Sequence, residues 1–200
     1  MKKFELTAEY VTNIFGKKLF RIKALVEFGN VKEGDLGGFV EKESNIDDDG
    51  NAWVSGNAQV FGNAKISGNA QVYGNAKVFE NAQVYGNAKV FENAQVYGNA
   101  WISGNAQVYG NACVAENLDY AIVGGFGSEQ QTITFFRQKD GSVGAKCGFF
   151  YGTLEEFREN VLETHGESKY AQEYLMIADL MELHFAGGCD GNDKDDHSCL

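Results

Sequence analysis

Between Asn51 and Glu116, apolar residues occupy the second and fourth places of every six, without a gap, through eleven hexads. The first place is always Asn, the second Ala, and the fourth Val, with Ile at Ile66 and Ile102. The sixth is Gly except at Glu80, Glu92 and Glu116, and the pattern ends where Leu118 stands in place of Ala. Apolar positions six apart drift around a 3.6-residue helix, so the pattern excludes one. It suits strands, whose period of two divides six and puts Ala and Val on one face with the intervening residue on the other. Each hexad therefore predicts a short strand followed by a bend at Gly/Glu-Asn. Three bends close a triangle, so a coil of ~18 residues stacks on the next at ~4.8 Å. The expected fold is mainly β: a parallel β-helix shaped as a triangular prism of about four coils.

Val and Ile are expected to fill the interior and Ala the narrowing corners. Asn is the expected left-handed residue of the bend. Glu replaces Gly three times and nothing replaces Asn, which is among the few residues that tolerate positive φ. The expected structural corner is thus Asn57, Asn63, Asn69, Asn75, Asn81, Asn87, Asn93, Asn99 and Asn105, whose amides would bond up the stack. Hexads three apart share a side. One side then carries Tyr73, Phe91 and Tyr109 with Trp53, and a second carries Phe61, Phe79 and Tyr97. The third carries Tyr85 and Trp101 among serines. Three or four outward rings at ~150–250 Å² each rival the ~300–600 Å² patch that a soluble monomer exposes. These nine aromatics are the expected interaction surface, with at least one side covered by a second subunit or by the chain's own ends. Stacked aromatics also serve simply as good strand formers, at ~0.2–1 kcal/mol per pair.

The flanks change period. Residues 1–50 predict a β-rich cap and a turn-rich lead-in to the first coil, ahead of the repeat at 51–117. Residues 118–185 predict a small ββαα unit. Two alternating runs around Lys139-Asp140-Gly141 form its hairpin. Thr153-Leu-Glu-Glu156 is a capping box opening a helix that ends near Gly166. A second helix follows to Phe185, and residues 186–200 form an acidic flexible tail. The unit is expected to lean on the open end of the β-helix, whose unpaired backbone groups need a cover.

The stretch NAQVYGNAKVFENAQVYGNA resembles the bacterial hexapeptide-repeat superfamily of left-handed parallel β-helices. The register agrees: Val at the aliphatic position, Gly-Asn at the turn, Ala at the small position. The preceding FRIKALVEFGNVKEGDLGGFVEKESNI resembles the lead-in of a phage and prophage subgroup often labelled transferases or polymer-forming proteins. The resemblance implies left-handed coils and a homo-oligomer, a trimer before a dimer. Acyltransferases of this superfamily use a coil histidine as general base with pantetheine in a groove between subunits, and its carbonic anhydrases bind zinc through three coil histidines.

Against that implication, His165, His184 and His197 all fall outside the hexads, and Cys113 is the coils' one thiol. No set of nucleophile, base and orienting group is visible, nor a glycine loop for phosphate. The expectation is no catalytic residue, no metal ligand and no cofactor. The four cysteines show neither CxxC spacing nor a disulfide framework. Cys189 and Cys199 around His197 are compatible with a metal-binding tail, and a plain polar terminus is the simpler reading.

Charge narrows the partners. Of the net −11, residues 51–116 contribute nothing, with three Lys and three Glu, while residues 117–200 carry six basic and fifteen acidic residues. Binding to a nucleic-acid backbone needs a basic stripe that is absent here. No run approaches the ~20 apolar residues of a membrane span, and no apolar segment follows the two initial lysines as a signal would require. The expected place is the cytoplasm, of a host cell if the chain is phage-encoded. The preferred function is a non-catalytic scaffold or binding protein that meets another copy of itself or a host protein, in a phage setting a defence component. The alternatives are an acyltransferase-like enzyme with His165 or His184 supplied by the flanks, capture of a small ligand between aromatic walls, and an acidic mimic of nucleic acid.

Overall fold

The computed structural model describes residues 2–186. The chain forms two compact units that divide between Asn117 and Leu118.

The first unit opens with β1 (Phe4–Thr12) and β2 (Lys18–Ala24), an antiparallel hairpin, followed by β3 (Leu36–Val40). Eleven two-residue strands then follow, one at places three and four of each hexad. Three sheets separate them by side. On the first side lie β4 (Trp53–Val54), β7 (Gln71–Val72), β10 (Lys89–Val90) and β13 (Gln107–Val108). The second side holds β5 (Gln59–Val60), β8 (Lys77–Val78), β11 (Gln95–Val96) and β14 (Cys113–Val114). The third holds β6 (Lys65–Ile66), β9 (Gln83–Val84) and β12 (Trp101–Ile102). Pairing is parallel throughout and the register advances by whole coils, as in Lys65↔Gln83↔Trp101 and Gln59↔Lys77↔Gln95↔Cys113. This is a parallel β-solenoid of about four turns. Its interior is the stack of Val, Ile and Ala from places two and four, which are sealed from solvent from Ala52 to Val114.

The second side extends beyond the repeat. β3 pairs parallel with β5 and antiparallel with β2, so the hairpin continues that sheet to seven strands. β1 is left as its edge strand. A register shift between Leu6 and Tyr10 and the carboxylates of Glu5 and Glu9 roughen that edge, which disfavours further strand addition. Asn45, wholly buried in the lead-in, donates through Nδ2 to the Ala64 carbonyl at 2.8 Å and accepts the Lys42 N–H at 3.0 Å.

The corners correct one expectation. The left-handed residue is the sixth of each of the first ten hexads, not the asparagine. Corner glycines such as Gly62 and Gly98 lie at φ 71° and 61°, Glu80 and Glu92 both lie at 60°, and no coil asparagine has positive φ. A side chain there costs roughly 1–2 kcal/mol. For Glu80 the cost is offset, because its carboxylate accepts the Gly98 N–H of the next coil at 2.8 Å. Space decides where that device works: a Cβ on Gly98 would sit 2.4 Å from the Ala115 carbonyl oxygen. The invariance of Asn has another cause. Each Nδ2 donates to the Oδ1 one coil on, in ladders Asn51→Asn69→Asn87→Asn105, Asn57→Asn75→Asn93 and Asn63→Asn81→Asn99, at 3.0 to 3.4 Å. A strand spacing of ~4.8 Å suits an amide ladder, and a different side chain at any rung interrupts it.

The second unit is an antiparallel meander, β15 (Tyr120–Val123), β16 (Ile133–Arg137), β17 (Val143–Cys147) and β18 (Phe150–Thr153). Helices α1 (Leu154–His165) and α2 (Lys169–Ala186) follow. The expected hairpin is β16–β17, and two further strands flank it. A two-stranded hairpin is marginal alone, and β15 and β18 pair both of its edges. The capping box forms as the sequence predicts: Thr153 Oγ1 accepts the Glu156 N–H at 3.2 Å, and the Glu156 carboxylate accepts the Thr153 N–H at 2.7 Å. α1 stops at Gly166, φ 57°. Ile133, Phe135, Phe157, Val161, Tyr174, Met181 and Phe185 form the core. Leu162, next to the buried Val161 on α1, is half-exposed. Arg137 ties the unit together, donating to Asp119 at 3.1 Å and to the Phe185 carbonyl at 2.9 Å. No helix among the described residues is long and apolar enough to cross a membrane. Cys189, His197 and Cys199 lie outside the described residues.

Candidate functional site

The three sides of the solenoid differ in what they leave open. On the first, Tyr73 and Phe91 stack at 4.7 Å and Tyr109 follows at 4.6 Å, tilted by 60°. Phe91 is thereby buried, with Tyr73 and Tyr109 half-buried. Burial, with Glu92 and Tyr109 nearby, pushes the Tyr73 hydroxyl above its ordinary pKa. Trp53 is buried as well, gripped edge-on by Phe4 at 6.4 Å and Phe28 at 5.4 Å. Beside it lies a hollow of about 320 Å³ bordered by Asn30, Asp35, Ser55 and Gln71.

On the second side Phe61, Phe79 and Tyr97 stack nearly parallel at 5.0 and 5.1 Å. All three are buried. Each ring covers the face of the next, and Phe15, from the turn between β1 and β2, lies 6.0 Å from Phe61 and 6.4 Å from Phe79. A groove of about 430 Å³ runs past Phe15, Lys17, Gly62, Asn63, Glu80 and Asn81. Lys17 is held there by Glu41 at 3.2 Å, and the same Glu41 carboxylate accepts the Gly62 N–H at 2.6 Å.

That contact carries a pH signature. Burial raises the Glu41 pKa, but the Gly62 N–H and the Lys17 ammonium outweigh it and hold the carboxyl below its ordinary 4.5. A depressed folded-state value means stability that is present above the unfolded pKa and is lost as pH falls through the folded one. Glu41→Gln is therefore expected to melt a few degrees below wild type at neutral pH, with the gap closing below about pH 4. Thermal melts across pH 3–7, roughly the carboxylate range, check this. A gap that stays constant with pH would assign the effect to shape rather than charge.

The third side is the open one. Lys65, Gln83 and Trp101 stand in register along β6, β9 and β12, with Trp101 50% exposed and Tyr85 beside it 37% exposed. Lys65 makes one loose ion pair, 3.8 Å to Asp47. Of the nine aromatics expected as an interaction surface, Trp53, Phe61, Phe79, Phe91 and Tyr97 are buried, Tyr73 and Tyr109 half-buried, and only Tyr85 and Trp101 exposed. The physical reason is mutual stacking, together with the hairpin turn and Phe4 and Phe28. The sequence hid those partners because Phe4, Phe15 and Phe28 lie outside the repeat; the Ile14-Phe15 pair at a turn was the available signal.

Two stretches of the coils, residues 58–74 and 94–110, match the family model described as the YdcK beta solenoid repeat. Together with the three parallel ladders, this decides the class. The chain is a β-solenoid repeat protein. No curated protein matches it.

His165 lies against Tyr174 and Tyr170 at 5.5 and 6.4 Å, and His184 against Phe185 at 4.8 Å, all within the second unit. Among the described residues no three His, Cys, Asp or Glu side chains gather as a metal site would require. Cys147 is a free cysteine whose pKa is raised by burial. The third side offers flat apolar surface from Trp101 and Tyr85, amide and ammonium donors from Gln83 and Lys65, and small serines between them. That chemistry suits adhesion to a protein surface.

Proposed function

We propose that this solenoid is a non-catalytic binding scaffold whose third side, β6-β9-β12, docks on another protein surface, first of all that of a second copy. The observation that carries the reading is the exposure of Trp101 and Tyr85 on a regular, otherwise polar side, while the remaining coil aromatics are wholly or partly covered. Exposed Trp and Tyr with a polar surround is the composition of an interface centre. A trimer is the first arrangement to seek and a dimer the second. A host protein is the alternative occupant of the same side.

Light scattering on the wild type and on Tyr85→Ser/Trp101→Ser tests this. The wild type is expected at a multiple of the 21.9 kDa protomer, and the double variant at the protomer mass with an unchanged melting temperature. A wild type that is monomeric at every concentration would sink self-assembly. A pull-down with both proteins then decides whether the side holds a different partner.

A further inference from the structure

Helix α2 is apolar on two opposite sides. One side, with Tyr174, Ala178, Met181 and Phe185, is buried in the core of its unit. On the opposite side Met176, Leu180 and Leu183 are 72%, 56% and 74% exposed. At ~100° per residue these three fall within about 60° of one another, and their spacing of four then three residues is that of a coiled-coil seam. A surface helix needs one apolar stripe to hold it in place; the second has no structural work among the described residues.

The surround says what fits. Asp179 and Glu182 flank the stripe on one side, sharing the single cation Arg158 at 2.9 and 2.5 Å. Glu173 on the other side is already paired with Lys169 at 3.4 Å, so the acidic excess lies on the Asp179–Glu182 side, where α1 adds exposed Glu155 and Glu159. We propose that this stripe docks a basic amphipathic helix of another protein, its leucine-like seam on Met176, Leu180 and Leu183 and its Lys or Arg against the acidic flank. A second copy would set the same carboxylates against each other, which opposes self-pairing. The chain's own continuation, GGCDGNDKDDHSCL, carries one aliphatic residue, Leu200, where a seam of three needs matching, and brings more aspartates than lysines. An anionic membrane meets the same repulsion. This surface is independent of the solenoid's third side.

The test uses the full chain and two synthetic amphipathic peptides with the same leucine seam, one flanked by Lys and one by Glu, titrated by calorimetry. The Lys peptide is expected to bind, more weakly as salt rises, and the Glu peptide to show no heat. Leu180→Glu/Leu183→Glu is expected to keep the wild-type melt, both sites being exposed, and to lose at least about tenfold in affinity. Equal affinity for the two peptides, or for the wild type and the double variant, would overturn the proposal. So would a wild-type oligomer that falls to protomer mass in Leu180→Glu/Leu183→Glu, which would give the stripe to a second copy. Repeating the titration on Tyr85→Ser/Trp101→Ser should leave the affinity unchanged; a loss there would move the peptide to the solenoid and overturn the assignment to α2.

Discussion

Val84→Asp is expected to abolish the cooperative unfolding transition of the solenoid. Val84 is sealed from solvent between Ile66 and Ile102, its register partners one coil to either side. The interior around it is built from Ile, Val and Ala, so a carboxylate there finds neither a hydrogen-bond donor nor a cation. An uncompensated polar group in such a place costs several kcal/mol, and a charge more, against a total stability of ~5–15 kcal/mol. Both tryptophans, Trp53 and Trp101, belong to this unit, so fluorescence during urea unfolding follows it without interference from the helical unit. The neighbouring Gln83→Asp is the control: it is exposed and should shift stability by no more than ~0.5 kcal/mol. If Val84→Asp unfolds at the wild-type midpoint, the interior is not where the hexad alternation puts it.

The second large effect belongs to a ring rather than a valine. Phe79→Ala removes the middle of the Phe61-Phe79-Tyr97 stack and the surface against which Phe15 rests. Truncating a buried Phe typically costs ~3–5 kcal/mol, which for a chain of this size means a fall in melting temperature of roughly 6–20 °C. Tyr85→Ala, at an aligned place on the open side, should cost under about 1 kcal/mol because its ring is partly in water. The ratio of the two effects tests whether the second column is core or decoration. Near-equal melts would mean that the stacked rings contribute no more than ordinary strand formers do.

The solenoid was legible because its information is periodic. Alternation within each hexad fixes which residues face inward, and a turn every six residues fixes three sides, so strand positions and the coil-to-coil register follow from counting. What counting missed was not periodic. The bend residue does not follow from invariance: the Asn ladder needs its amide and the glycine position needs its φ, and Glu80 shows that the second need is open to exchange when its carboxylate finds Gly98. Exposure of the aromatics was overestimated because it depends on Phe4, Phe15 and Phe28, which reach the coils from far along the chain. In the second unit, Thr153-Glu156 announced α1 through a local chemical rule. β15 and β18 carry no comparable signal, and they form because the edges of β16 and β17 require partners.

The coil-to-coil register has a consequence for how such a chain changes length. Losing or duplicating eighteen residues within the coils hands every strand to an equivalent neighbour, keeps each aromatic file in line and leaves the asparagine rungs unbroken. Losing six instead turns everything downstream by a third of a revolution. The file Phe61-Phe79-Tyr97 would then run into residues meant for another flank, and the carboxylate of Glu80 would meet a different corner. Growth by whole turns is therefore the cheap path open to this architecture, and it alters reach without altering which flank faces a partner.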